Sequence, residues 1–109
     1  MPESKEFLYR LEATRAEMIS IGPTEKESRA LEEHFAYLED LTERGLVLLA
    51  GRTVSLGAGT FGIVVFRAES ESAALEIMEA DPAVRDGVMR AELHPFRVAL
   101  FAAQPPPGA

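Results

Sequence analysis

The sequence predicts an α+β domain whose elements follow the order strand, helix, strand, strand, helix, strand. Patterns typical of strands, either alternating or continuously apolar, occur at 7–13, 46–51, 61–66 and 88–101. The segments 24–44 and 70–81 instead place apolar residues at the spacing of a helix face. This order matches the ferredoxin-like split βαβ arrangement, a four-stranded antiparallel sheet with two helices on one face.

The first strand and the first helix carry the clearest signals. Alternate residues of the strand form an apolar face, which consists of Phe7, Tyr9, Leu11 and Ala13. The helix is predicted to begin at Thr24, because this hydroxyl and the Glu27 carboxylate three residues later fit a capping box. Its apolar stripe comprises Leu31, Phe35, Leu38 and Leu41. Gly45 is predicted to end the helix, since glycine adopts the left-handed conformation that closes helices.

The two middle strands are apolar enough to require cover. The 46–51 segment is continuously apolar, which predicts a buried strand. The 61–66 segment is apolar on both of its faces, whereas two helices cover only one face of the sheet. We therefore predict a homodimer in which the open faces of two sheets pack against each other about a two-fold axis.

The second helix is predicted to begin at Ser70 and to end at Asp81, which precedes a proline. The last strand region, 88–101, is predicted to be interrupted at His94-Pro95, because proline cannot donate to a ladder. A single domain is expected over residues 1–103. The proline-rich tail 104–109 is expected to be flexible.

Composition excludes several classes of function. The formal net charge of −7 argues against nucleic acid or an anionic membrane as the main partner, since both bind clustered Lys and Arg. No apolar run approaches the roughly 20 residues of a membrane-spanning helix. The chain has no cysteine, which excludes disulfides, thiolate metal sites and a cysteine nucleophile. The N-terminus lacks the pattern of a signal peptide, so a cytoplasmic location is expected.

His34 and Asp81 are the candidate catalytic residues. His34 lies within the apolar stripe of the first helix, and Asp81 faces the buried side of the second. Each also has a structural interpretation: His34 as a hydrogen-bonded core residue, and Asp81 as the N-cap of a short turn that begins at Pro82. If the two helices bring them together, the carboxylate would orient the imidazole for proton transfer.

Other possible ligand-binding features are weaker. The Gly57–Gly62 segment spells G-x-G-x-x-G, but it leads into a strand instead of a helix, so we interpret it as a hairpin turn. The two histidines, His34 and His94, lack the spacing of a metal site, and neither metal nor cofactor is predicted. Candidate substrate-binding residues are Arg10, Arg52 and Tyr37: the arginines suit an anionic ligand, and Tyr37 flanks the apolar stripe.

Several motifs together resemble the YciI-like (YCII-related) family over about residues 6–101. They are His34-Phe35-Ala36-Tyr37-Leu38, Gly45, Leu48-Leu49-Ala50-Gly51, Ala80-Asp81-Pro82-Ala83-Val84, Gly87 and His94-Pro95-Phe96. This resemblance implies a ferredoxin-like fold, a homodimer of the dimeric α/β-barrel kind, and an active-site pair at His34 and Asp81. Some relatives act on small cyclic compounds, as dehydrochlorinases or lactone-isomerase-like enzymes. The family usually has Gly-Pro where this chain has Gly51-Arg52, and this arginine either shifts the pocket's preference towards anions or has no effect.

Three hypotheses about function follow. In the first, the chain is a small cofactor-free enzyme, in which His34 moves a proton on a small cyclic or anionic metabolite and Asp81 orients the imidazole. In the second, it is a non-catalytic ligand-binding or accessory homodimer that uses the same pocket. In the third, His34 and Asp81 serve only stability, since buried polar groups must be paired.

Overall fold

The computed structural model describes residues 5–55 and 57–102. The elements in these ranges are β1 (Lys5–Ala13), α1 (Glu17–Ser20), α2 (Glu25–Glu43), β2 (Val47–Arg52), β3 (Gly62–Ala68), α3 (Glu71–Ala80), α4 (Pro82–Arg85) and β4 (Met89–Phe96). The four strands form one antiparallel sheet in the order β2-β3-β1-β4. The predicted α+β class and four-stranded sheet are confirmed. The predicted tail at 104–109 lies outside the described residues.

The core lies between one face of the sheet and the two longer helices. Inward side chains of β1 and β3 meet those of α2 and α3 in a single cluster, whose members include Phe7, Tyr9, Leu11, Leu38, Leu41, Val64, Phe66, Ala74 and Met78. Tyr9 stacks edge-to-face on Phe66, with ring centroids 5.5 Å apart. The alternation of β1 therefore places its apolar residues against the helices, as the sequence predicts.

Two strands differ from the prediction. The segment expected to be a buried strand is the edge strand β2, in which Val47 is buried and Leu49 is 55% exposed. It lies at the edge because it pairs only with β3. β4 continues through His94 and Pro95 without interruption and ends at Phe96. Pro95 is tolerated because β4 is the other edge strand of the sheet. No strand lies on the outer side of β4, so no hydrogen bond between strands is lost there when an N–H is missing.

α2 has a capping box, which an arginine reinforces. Thr24 Oγ1 accepts from the Glu27 N–H at 3.2 Å, and Glu27 Oε1 accepts from the Thr24 N–H at 2.8 Å. Arg15, next to the short helix α1 that the sequence pattern did not predict, donates to both carboxylate oxygens of Glu27, at 2.6 and 3.0 Å. These bonds lower the pKa of Glu27 to about 2, the arginine having the largest effect. Gly45, at φ +77°, ends the helix as predicted.

Glu27 gives a prediction about acid stability. Its carboxyl pKa falls from 4.5 to about 2 on folding, so its contribution to stability is fully present above pH 4.5 and is lost as the pH falls towards about 2. We expect Glu27→Gln to be less stable than the wild type at pH 6 and to lose less stability on acidification. Urea denaturation between pH 2 and 6 measures this difference.

The control for this experiment is Glu76→Gln. Glu76 is exposed on α3 and makes no ion pair within the described residues. Its substitution should leave the acid dependence as in the wild type. If Glu27→Gln and Glu76→Gln lose stability in parallel with the wild type, Arg15 does not hold Glu27 in solution.

The face of the sheet opposite the helices is open. Arg90, Glu92 and His94 are exposed on its β4 end. Its β2–β3 end is more apolar, with Leu49 exposed and Val65 only 5% exposed. No helix in the described ranges is long and apolar enough to cross a membrane.

Candidate active site

His34 and Asp81 are in direct contact. His34 lies in the middle of α2, and Asp81 is the residue between α3 and α4. The imidazole Nδ1 is 2.7 Å from Asp81 Oδ1 and 2.9 Å from Oδ2, so it lies between the two carboxylate oxygens. The Asp81 side chain is fully buried, whereas the His34 side chain is 16% exposed. The pair is therefore anchored inside the protein and reaches the surface only through the imidazole.

Asp81 accepts hydrogen bonds from two further groups. The Ala83 N–H donates to Oδ1 at 3.0 Å, which makes Asp81 the N-cap of α4, and Pro82 is in the first turn of that helix. The Tyr9 hydroxyl donates to Oδ2 at 2.8 Å. Three donors thus surround one buried carboxylate, which offsets much of the cost of removing its charge from water. Both interpretations of Asp81 from the sequence, as a cap and as the partner of His34, describe its contacts.

Tyr9 is a site residue that no sequence pattern indicated. It is fully buried on β1, at a position where its ring fits the apolar alternation of the strand. Burial raises the pKa of Tyr9, and the negative charge of Asp81 raises it further, so the hydroxyl stays protonated and donates. The sequence indicates only that Tyr9 lies on the buried face of β1, where its hydroxyl needs a hydrogen-bond partner. The sequence does not indicate which partner.

The orientation of the imidazole follows from these contacts. A carboxylate only accepts, so in the neutral ring Nδ1 carries the hydrogen and Nε2 carries the lone pair. Within the described residues, Nε2 makes no hydrogen bond to protein, and no buried side-chain nitrogen or oxygen lacks a partner. Nε2 is consequently accessible, and His34 lines a cavity on the helix-facing side of the sheet.

This cavity has a volume of about 670 Å³ and lies between α2 and the helix-facing side of the sheet. Most of its lining is apolar and includes Leu11, Ile19, Leu31, Phe35, Leu38 and Met89. Phe35, predicted to lie on the buried stripe of α2, is 67% exposed because it lines this open cavity. Gly62 lines the cavity on the sheet side, where a larger side chain would be in close contact with β2. A Cβ atom added at Gly62 would lie 3.2 Å from the Gly51 carbonyl oxygen.

The three candidate substrate-binding residues lie in different places. Arg52, at the end of β2, is exposed and lines the cavity with His34. Tyr37 is not among the lining residues, and its hydroxyl donates to the Ile77 carbonyl at 2.7 Å, which joins α2 to α3. Arg10 is on the open face of the sheet, where it pairs with Glu12 and lies 4.4 Å from the centre of the Phe61 ring. The structure therefore groups His34 and Arg52 around the cavity, and it separates Tyr37 and Arg10 from them.

The remaining motifs do not form a second centre. The Gly57–Gly62 segment lies between β2 and β3, which pair as consecutive antiparallel strands, so it connects a hairpin. Within 5–55 and 57–102, no three histidine, aspartate or glutamate side chains are grouped closely enough to hold a metal ion.

The chain matches the profile of a known protein family. The YCII-related domain profile matches residues 5–97. The chain belongs to the YCII-related family. This match spans every strand and helix of the described structure and both residues of the His34–Asp81 pair. The resemblance recognised in the sequence motifs is thereby confirmed. None of the curated proteins matches the chain.

Solved structures share the fold of this YCII-related protein. One is 5-chloro-2-hydroxyhydroquinone dehydrochlorinase from Burkholderia phenoliruptrix, in complex with 2,5-dihydroxybenzoquinone. Its sequence is 21% identical to this chain, and the two structures superpose with a TM-score of 0.63. The match covers 84% of this chain and 93% of the dehydrochlorinase. Another is an uncharacterised protein from Thermotoga maritima; it is 11% identical, with a TM-score of 0.56, and the match covers 87% of this chain and all of that one. At these identities the likeness shows a common fold.

Proposed function

We propose that this YCII-related protein is a small cofactor-free enzyme that transfers a proton on a small cyclic or anionic metabolite. His34 is the general acid or base, and Asp81 orients it. One observation carries the proposal: the buried Asp81 carboxylate holds Nδ1, while Nε2 is left accessible at an apolar cavity. A histidine needed only for packing would not require a free nitrogen at a cavity.

The proposed chemistry uses the two ring nitrogens differently. Nε2 takes a proton from a C–H or O–H group of the bound molecule and can return it to another atom of that molecule. The imidazole becomes positively charged during this step, and the Asp81 carboxylate stabilises that charge through Nδ1–H. Because most of the lining is apolar, charges at this site are screened less than they would be in bulk water.

Features of the cavity support the substrate class. A volume of about 670 Å³ exceeds that of a single substituted ring and lies in the usual range for ligand pockets. Arg52 would bind an anionic substituent at the cavity. The solved dehydrochlorinase of the same fold is bound to a quinone, which supports a ring compound as substrate.

The second candidate function is a non-catalytic small-ligand-binding or accessory protein. The hydrogen bonds of Asp81 favour it, because Tyr9, Ala83 and His34 together satisfy the carboxylate without any reaction. In this case the cavity binds its ligand and His34 moves no proton. Binding alone therefore does not separate the two functions.

A screen in deuterium oxide separates them. Small cyclic carboxylates, phenols and lactones are first tested for binding by amide chemical-shift changes at the cavity residues. Bound compounds are then incubated with the protein, and deuterium incorporated into their C–H positions is measured by mass spectrometry. Exchange catalysed by the wild type supports the enzyme. Binding without exchange or turnover supports the second function, and absence of binding by any of these compounds contradicts both.

We also propose that the protein is a homodimer, with the two sheets packed through their open faces. The exposed Leu49 and the half-buried Ile63 of β3 form an apolar region at the β2–β3 end of this face, which suits an isologous contact. Light scattering at micromolar concentration should give twice the chain mass of 11.9 kDa. A cytoplasmic location remains a prediction.

A charge placed in this region should dissociate the dimer. We expect Leu49→Glu to shift the measured mass towards one chain, because burying a carboxylate between two sheets is costly. Ile21→Glu is the matched control, since Ile21 is 83% exposed and lies outside the sheet. A wild type with only an 11.9 kDa species, or equal dissociation by both variants, would contradict this interface.

A further inference from the structure

We propose that Tyr9 is a positioning residue for the His34 imidazole and acts through Asp81. The expected effect of Tyr9 on turnover rests on the proposed function, but its effect on the orientation of the imidazole can be tested without a substrate. Tyr9 is on β1, His34 on α2 and Asp81 between α3 and α4. One hydroxyl thus connects the sheet to the pair that the two helices form.

The geometry around Asp81 is nearly symmetric. Nδ1 of His34 lies between the carboxylate oxygens, at 2.7 and 2.9 Å. Each oxygen also accepts one further donor: the Ala83 N–H for Oδ1 and the Tyr9 hydroxyl for Oδ2. The terminal torsion of an aspartate is soft and has no sharp preferred angle. Two donors on different oxygens therefore set the plane of the carboxylate, and this plane sets the direction of the imidazole.

Ala83 cannot perform this role alone. Its N–H holds Oδ1 as part of the cap of α4, which leaves the carboxylate free to turn about that contact. The Tyr9 hydroxyl holds Oδ2 from the sheet side, and its ring is fixed by burial and by its packing on Phe66. Without the hydroxyl, Oδ2 would keep only His34 as a partner. The Nδ1–H bond would then become one-centred on Oδ2, and the ring would tilt in the cavity.

The chain contains a matched control. Tyr37 is its only other tyrosine, and its hydroxyl donates to the Ile77 carbonyl, not to Asp81. Tyr9→Phe and Tyr37→Phe each remove one hydroxyl and one hydrogen bond and leave the aromatic ring in place. Both should lower stability, and Tyr9→Phe should lower it more, because a hydrogen bond to a charged carboxylate contributes more than one to a neutral carbonyl. Only Tyr9→Phe should affect His34.

The experiment is NMR of the His34 imidazole in the wild type and both variants. In the wild type and Tyr37→Phe, we expect the hydrogen on Nδ1 and the same Nδ1–H resonance. In Tyr9→Phe, that resonance should move downfield, because a one-centred bond to a carboxylate with one donor fewer is shorter. An unchanged resonance in folded Tyr9→Phe, or an equal change in Tyr37→Phe, overturns the positioning role.

A reciprocal measurement keeps the test decisive if Tyr9→Phe fails to fold. His34→Ala, which leaves no side-chain donor at this position, should shift the hydroxyl-proton resonance of Tyr9, since both groups bind the same carboxylate. It should leave the corresponding resonance of Tyr37 unchanged. A Tyr9 resonance that does not respond to the loss of the imidazole overturns the proposal.

Kinetics separate this inference from the proposed function. With a substrate found by the screen, Tyr9→Phe should lower kcat by about tenfold. This is the smaller effect seen in metalloenzymes when a residue that orients a functional histidine through a hydrogen bond is removed. KM should stay unchanged, because Tyr9 does not line the cavity. If the resonances shift but no turnover is found, the proposed function fails and the positioning role stands. If turnover depends on His34 but the resonances do not shift, the reverse holds.

Discussion

Replacement of His34 by glutamine is expected to abolish most of the proposed turnover with little effect on folding. Loss of a general acid or base lowers the rate by about 10²- to 10⁴-fold. Glutamine keeps a side-chain N–H that can donate to Asp81, but it has no nitrogen that takes up a proton. The unfolding free energy should change by no more than about 1 kcal/mol, because Tyr9 and Ala83 still satisfy the carboxylate.

Deuterium exchange or turnover of a compound from the screen, together with urea denaturation, measures both effects. Glu32→Gln is the matched control on the same helix, since Glu32 is exposed and should affect neither quantity. A His34→Gln protein with full turnover would exclude His34 as the proton-transfer group. A loss of several kcal/mol with binding unaffected would favour the hypothesis that the pair serves stability.

Removal of the Asp81 carboxylate is expected to cause the largest loss of stability. In Asp81→Ala, the Tyr9 hydroxyl, the Ala83 N–H and His34 Nδ1 lose their shared acceptor. An unpaired buried donor costs about 1–3 kcal/mol, and a lost N-cap costs about 0.5–2 kcal/mol. Removing a buried charge recovers part of this cost, because the carboxylate no longer needs desolvation. We expect a net loss of about 3–5 kcal/mol, a large part of the stability of a small domain.

Asp81→Asn separates the shape of this side chain from its charge. The amide oxygen can still accept from the Ala83 N–H, and the Tyr9 hydroxyl can rotate to accept from the amide. The loss should therefore be smaller, about 1–2 kcal/mol. Asp40→Ala, at an exposed position of α2, should change stability by less than about 0.5 kcal/mol. Chemical denaturation of all three variants gives the comparison, and equal stability of Asp81→Ala and wild type would show that the Asp81 network is not formed in solution.

Local signals in the sequence predicted those elements whose cause is also local. The capping box at Thr24 and the end of α2 at Gly45 depend on contacts within a few residues, and both are present in the structure. The alternation of β1 was visible because one of its faces is buried. α1 is only four residues long, too short to show a helical period.

Burial of the strands was harder to predict, because it depends on sheet order. The same apolar composition is found in β3, which is central, and in β2, which is at an edge. His34 and Asp81 were predicted as a pair because each lay on an inward helical face. Arg10 and Tyr37 were predicted to bind a ligand only from the general chemistry of their side chains. Their position relative to the cavity depends on packing, which the sequence does not indicate.

The sequence by itself determined the class of the fold, the caps of α2 and the two polar residues that face inwards on the helices. These follow from periodicity and from side-chain chemistry over a few residues. Only the tertiary structure decided that Tyr9, His34 and Asp81 meet, since Asp81 is 72 positions from Tyr9 and 47 from His34. Hydrogen bonds between such distant residues depend on the register of β1 in the sheet and on how the helices pack over it, and no local pattern encodes either.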